Sequence, residues 1–295
     1  MAELELKSYA KINLLLNIVS KRQDGYHILE TVMQNVDIYD EVKIKKTERE
    51  IKIHSDSVAL PKDHRNIAYQ AADKMIKRYG LKEGCYIDIK KNIPQGAGLA
   101  GGSSNGAAVL IGMNHLWQLG LNLNELRTLG QEIGADIPFC LTGGTCLAEG
   151  IGEIVTPVPP FEWRNLLIVQ PELELSTKEM YSLITSEHMN RYPMQALLKS
   201  LNDKAYLRVI RQSENIFEKI ACDRYPQISK LKQEMLESGA IKSLMTGSGS
   251  AVVGFYKNEQ ELQIAFDFFK RNYLKTYKTK TINRGVSYGE KARHH

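Results

Sequence analysis

The chain has 295 residues, 43% of them hydrophobic and 25% charged, with a formal net charge of +5 from 39 Lys and Arg against 34 Asp and Glu. That balance excludes a mainly disordered chain, and the length exceeds one ordinary hydrophobic core, which favours two α/β units. The mild basicity suits an anionic small substrate as well as nucleic acid and does not choose between them.

In chain order, LELKSYAKINLLLNIV predicts a strand. Its INLLLNIV run is too short to span a bilayer and lacks a signal-peptide cleavage pattern, so no membrane segment is expected. DEVKIKKTEREIKIHS predicts two strands around a turn, with Val42, Ile44, Ile51 and Ile53 at period-two spacings. Asn66 to Tyr79 has helical spacing of Ile67, Ala71, Met75 and Ile76 and a stop at Gly80. CYIDIKKNIP predicts a strand, and a glycine-dense loop follows it, IPQGAGLAGGSSNGAAV, Ile93 to Val109, with a helix expected from near Ser103.

Cys85, Cys140, Cys146 and Cys222 form no C-x-x-C pair and have no His at metal-ligand spacing, which argues against zinc and a disulfide framework and fits a reducing cytoplasm. At GIGEIVTPVPPFEW, Gly150 to Trp163, clustered prolines interrupt regular structure. The expected domains are therefore 1–155 and 156–295. Beyond the boundary, NLLIVQP predicts a strand, Pro226 to Ser238 a helix, SLMTGSGSAVVGFY a strand, tight turn and strand, and Glu259 to Tyr273 a final helix. The closing KARHH reads as a tag-like tail, and its two histidines receive no function.

The loop lacks the Lys of a Walker motif. Gly96, Gly98 and Gly101 match the Rossmann spacing, but no acidic residue stands at the expected distance beyond them. What survives is physical: residues without a Cβ let backbone N–H groups converge on one anion, and the following helix adds its N-terminal donors. Phosphate binding is thus preferred over a turn capped by Ser103 or Ser104.

PQGAGLAGGSSNGAA resembles the second motif of the galactokinase, homoserine kinase, mevalonate kinase and phosphomevalonate kinase superfamily, the GHMP kinases. YAKINLLLNIVSKRQDGYHILETVMQNVDIYDEV, GADIPFCLTGGTCLAEGIGEIVTP and MTGSGSAVVGFY are similar to other segments of that family, in the right order over nearly the whole chain, with little signal between 186 and 225. The resemblance implies an α/β (α+β) fold of two domains, the N-terminal one ribosomal-protein-like and the C-terminal one ferredoxin-like, with the active site between them. It implies ATP as donor, an alcohol as acceptor, and Mg²⁺ to neutralise the nucleotide.

The same resemblance makes Lys11 and Asp136 the catalytic pair. Asp136 would take the hydroxyl proton, and Lys11 would orient it and offset developing charge. The plainer alternatives are an exposed strand lysine and a helix cap before Pro138. Pro94, Gln95, Gly96, Ala97, Gly98, Leu99, Ala100, Gly101, Gly102, Ser103 and Ser104 would bind ATP, with Asn66 and Lys91 nearby. Asn13 shares the strand face of Lys11 and could bond a substrate hydroxyl. Tyr26, His27 and Tyr181 resemble residues that recognise cytosine, implying a small cytidine diphosphate substrate, with no nucleic-acid or membrane partner. Thr246, Gly247, Ser248 and Gly249 would line the cleft near the substrate phosphates.

Asn105 stands where the family more often has Asp, Gly106 where it has Ala, and Tyr9 where it has Pro. The rival readings are a homoserine or mevalonate acceptor, and RNA binding through a basic tail, KTYKTKTINR.

Overall fold

The computed structural model describes residues 3–189 and 191–289; the closing KARHH lies outside them. The first half runs β1 (Glu3–Lys21), β2 (His27–Thr47), β3 (Lys52–Ser55), α1 (Ile67–Tyr79), β4 (Gly84–Lys90), α2 (Gly101–Leu116), α3 (Leu123–Gln131), α4 (Ile137–Thr142), β5 (Thr145–Gly150) and β6 (Ile154–Pro157). There follow β7 (Leu166–Gln170), α5 (Thr177–Ser182), α6 (Met194–Asn202), α7 (Tyr206–Gln212), β8 (Glu214–Asn215), α8 (Ile216–Arg224) and α9 (Pro226–Glu237). The chain closes with β9 (Lys242–Met245), β10 (Val252–Phe255), α10 (Glu259–Asn272), β11 (Lys275–Thr279) and β12 (Val286–Tyr288).

β1 and β2 form a long antiparallel hairpin. Burial along β1 alternates at Leu4 and Leu6, as one covered face requires, and then becomes continuous from Ser8 to Ile18. The reason is that the strand passes through three cores: Leu4 and Leu6 join the first, Ala10, Ile12, Leu14 and Leu15 the second, Leu16 and Ile18 the third. Register shifts fall between Tyr9 and Ala10, Asn13 and Leu15, and Ile18 and Ser20. Bulges of this kind re-aim side chains, and here they flank Lys11 and Asn13.

The first sheet has the order β12-β1-β2-β4-β3, with β5 and then β6 continuing from the other half of β2 and β8 beside β1. The two strands expected around a turn at Val42 to Ile53 do not pair with each other. β4 lies between them, antiparallel to β2 and parallel to β3. The second sheet, β11-β7-β10-β9, is antiparallel throughout. Numbered along this half of the chain, its spatial order is fourth, first, third, second, the βαββαβ arrangement of a ferredoxin-like unit. The division expected at 155 passes through β6, and β12 returns from the second half to pair with β1.

α1 starts at the Asn66 cap, whose side chain accepts from Ala68 N at 2.9 Å, and stops at Gly80 with φ of 61°. α2 is buried on most sides and packs on α1 at Gly106, where a Cβ would stand 2.8 Å from Ile67 Cγ2. The glycine that weakens the helix locally is what lets the two helices approach. The basic stretch Lys275 to Arg284 is not a tail. It contains β11, which pairs with β7, and its Lys278 and Lys280 face Glu259 and Asp37.

Candidate active site

Between the two sheets opens a cleft of about 960 Å³. Residues Pro94 to Ser103 of the glycine-dense loop line it. Gly96, Gly98 and Ala100 take φ of 62°, 75° and 56°, left-handed backbone at alternate residues, the kind of conformation from which anion-binding concavities are built. α2 begins at Gly101, two residues earlier than the serines suggested, and no side chain caps it. Its first-turn N–H groups are therefore left to an outside acceptor.

The loop is held from several directions. Leu99 O accepts from Lys11 N (3.1 Å), Ala97 O from Ala251 N (3.3 Å), and Gln95 O from Gln170 Nε2 (3.0 Å). Gly98 lies against the β9–β10 turn so closely that a Cβ would meet Thr246 O at 2.2 Å.

Lys11 is buried, with 4% exposure, not an exposed strand lysine. Its ammonium donates to Asn13 Oδ1 at 2.8 Å and forms no ion pair among the described residues, so its charge is left to the cleft. Asn13 Oδ1 also accepts from Gly247 N (2.9 Å), while its Nδ2 donates to Thr31 Oγ1 (2.8 Å). Most of the Asn13 amide is thus spent on fastening the turn and the lysine.

Asp136 stands at the N-cap position of α4, but its carboxylate makes no capping bond and lines the cleft. Lys11 and Asp136 do not touch, so the expected direct orientation of one by the other is absent. They nevertheless flank one place: the buried Cys140 thiol is pushed up first by burial and then by Asp136, while Lys11 opposes the shift.

Elsewhere on the lining His27 and Tyr181 pack with ring centroids 5.4 Å apart, and Tyr181 meets Phe217 edge-on at 4.8 Å. His27 Nε2 is buried without a hydrogen-bond partner in the protein, which leaves its polar atom unsatisfied beside the cleft. Burial, helped by Lys21, lowers the His27 pKa below its ordinary 6.5, so the imidazole is neutral at pH 7. The Tyr181 phenol is pushed well up, by burial and then by Asp136, and stays protonated. Tyr26 is 61% exposed, on the rim.

The cleft therefore brings together Lys11, Asn13, Tyr26, His27, Asn66, Lys91, Asp136, Tyr181, Gly247, Ser248 and Gly249 with the loop. Two expected residues stand behind its wall. Ser104 is fully buried and donates to Tyr9 O (2.8 Å), and Thr246 is buried, with its Oγ1 accepting from Asn13 N (3.1 Å). Lys91 is no surface lysine: its side chain is 7% exposed and pairs with Asp40.

Sequence reading missed Thr177, whose hydroxyl meets Ser248 Oγ at 2.9 Å on the cleft wall. It also missed Asn215, whose Nδ2 donates to Met245 O (2.7 Å) and Gly247 O (2.8 Å). An Asn before the apolar pair Ile216 and Phe217 is a helix-start signal, which could have marked the position but not its reach.

Comparison with known proteins agrees with this geometry. Residues 66–144 match the GHMP kinases N terminal domain and residues 194–275 the GHMP kinases C terminal domain. A relative from Alkaliphilus oremlandii, a 4-diphosphocytidyl-2-C-methyl-D-erythritol kinase, is 41% identical over 98% of this chain and 100% of its own. A solved 4-(cytidine 5'-diphospho)-2C-methyl-D-erythritol kinase superposes with a TM-score of 0.80 at 27% identity, covering 94% of this chain and 99% of that one. Homoserine kinase from Cytophaga hutchinsonii shares the fold, with a TM-score of 0.75 at 19% identity over 98% of both chains. The chain belongs to the GHMP kinases and, among them, to the family of the 4-diphosphocytidyl-2-C-methyl-D-erythritol kinases.

Proposed function

We propose that this protein transfers the γ-phosphoryl group of ATP to the 2-hydroxyl of 4-diphosphocytidyl-2-C-methyl-D-erythritol, in the non-mevalonate route to isoprenoid precursors. One observation carries the reading: Lys11 and Asp136 line the same cleft as the glycine-dense loop and the packed pair His27 and Tyr181. The loop N–H groups and Lys91 receive the nucleotide phosphates. The cytosine lies against Tyr181, with its polar edge toward His27 Nε2. That length of substrate sets the acceptor hydroxyl between the loop and that pair, beside Asp136.

Phosphoryl transfer needs positioning and charge compensation more than covalent help from the protein. Asp136, not engaged in capping its helix, accepts the hydroxyl proton as oxygen attacks phosphorus. Lys11, with no carboxylate to neutralise it, offsets the charge that develops on the phosphoryl oxygens.

Mg²⁺ usually keeps several waters and takes one or two protein oxygens beside the phosphates. Among the described residues no group of three or more His, Cys, Asp or Glu could hold a metal alone. The Ser103 hydroxyl lines the cleft and fits that thinner ligand set, the rest coming from water and the phosphates. Bound there, the ion would neutralise nucleotide charge.

ADP release measured with ATP, Mg²⁺ and the cytidyl substrate, beside homoserine and mevalonate, tests the assignment. Turnover with the cytidyl substrate alone is expected; turnover with either other alcohol in its place overturns it.

A further inference from the structure

Beneath the phosphate loop lies a charge that the reaction above does not use. Asp40, on β2, has 0% exposure. Its Oδ1 accepts from the backbone N–H groups of Asn92 (2.7 Å) and Ile93 (2.8 Å). Its Oδ2 accepts from the Lys91 ammonium and from Asn105 Nδ2, the latter at 2.8 Å. Asn105, 1% exposed, also donates from Nδ2 to Ser8 Oγ (2.9 Å) and sets its Oδ1 3.4 Å from Lys91 Nζ. That ammonium lies 3.1 Å from where a Cβ on Gly101 would stand, against the first residue of α2.

One carboxylate thus ties together three pieces of backbone: the residues that lead into the loop, the helix that leaves it through Asn105 one turn in, and β1 through Asn105 and Ser8. A fully buried carboxylate is stable only with such a complete set of donors. The neutral amide at position 105 also gains a reason. A second carboxylate there would face the first across 2.8 Å with a single ammonium to serve both.

We propose that Asp40 is the positioning residue of the nucleotide site, holding Lys91 directly and the N-terminal part of α2 through Asn105 in the arrangement that receives phosphate, and that Asn105 is an amide because it serves the same carboxylate. The proposal rests on reading the loop as the ATP site.

The test compares Asp40→Asn, Asn105→Asp and the double exchange. In the double exchange amide and carboxylate trade places. The β2 side chain still accepts from Asn92 and Ile93 through its oxygen and now donates across the 2.8 Å gap, Lys91 turns to the acid on α2, and Ser8 becomes a donor. ADP affinity is measured by calorimetry, and KM for ATP and for the cytidyl acceptor by turnover.

Each single exchange is expected to weaken ADP binding and raise KM for ATP by about tenfold or more, with the acceptor KM nearly unmoved. The double exchange is expected to recover ADP affinity to within about threefold of the parent, the signature of a coupled pair. Single variants that melt earlier yet bind ADP like the parent overturn the proposal, because a merely structural residue behaves that way. A double exchange no better than the worse single also overturns it. If a single variant fails to fold, a double variant that folds and binds ADP supports the proposal and one that does not overturns it. Calorimetry with ADP needs no acceptor, so a wrong acceptor assignment shows in turnover alone and leaves this judgement intact.

Discussion

Replacing Gly98 by Ala tests whether the two glycine turns act as one unit. Gly98 has φ of 75°, and a side chain in that region costs about 1–2 kcal/mol by itself. Its Cβ would also stand 2.2 Å from Thr246 O and 3.0 Å from Thr246 C, backbone atoms that no side-chain rotation can clear. The loop or the β9–β10 turn must then shift by about 1 Å, at the further cost of about 1–3 kcal/mol typical of overpacking. Gly96 is the internal control. Its φ is 62°, but a Cβ there meets only the Glu174 side chain, at 3.4 Å.

Gly96→Ala should therefore lose about 1–2 kcal/mol and Gly98→Ala about 2–5 kcal/mol in urea unfolding. Gly98→Ala should also raise KM for ATP, because the shift pulls on Ala97 O and on the Asn13 bond to Gly247. Equal losses for the two variants, within about 0.5 kcal/mol, would refute the reasoning. They would mean that backbone conformation alone sets the cost and that the turns move independently.

Asp136→Asn should lower kcat by about 10²- to 10⁴-fold and leave ADP affinity unchanged; near-parental turnover would remove the carboxylate from the chemistry. Tyr181→Ala should raise KM for the cytidyl substrate about tenfold, as loss of one base-stacking partner requires, while KM for ATP stays put; an equal rise in both would place Tyr181 in the core only. Since the folded His27 pKa lies below 6.5, the native chain binds fewer protons than the unfolded one between that value and 6.5. This contribution is present above pH 6.5 and is lost as pH falls, so the parent should lose melting temperature more steeply below pH 6.5 than His27→Gln, and parallel profiles would contradict it. Asn215→Ala removes a helix cap and strands the Met245 and Gly247 carbonyls; about 2–4 kcal/mol should be lost in urea unfolding, and a change below about 0.5 kcal/mol would show that water replaces it.

Local chemistry wrote much of this protein plainly. Asn66 and Gly80 delimit α1, alternation and apolar runs mark β1, β4, β7 and β10, and glycine density ahead of an apolar helix marks an anion site. These follow from propensity, capping and backbone freedom, which act within a few residues. Motifs carrying Lys11, His27 and Asp136 were legible for the same reason: each is a short run whose residue types are constrained together.

What lay outside the sequence alone depends on partners distant in the chain. β4 enters between β2 and β3, and β12 returns to β1, because sheet order is settled by packing rather than by adjacency. Ser104 and Thr246 face inward because their hydroxyls bond Tyr9 O and Asn13 N, across 95 and 233 residues. Asn105 read as a lost charge, yet the carboxylate it accompanies sits 65 positions earlier on β2. Residue types at each of these positions were visible in the sequence. Which of them would meet was decided by the tertiary fold, since a buried polar group takes its role from the partners that desolvation obliges it to find.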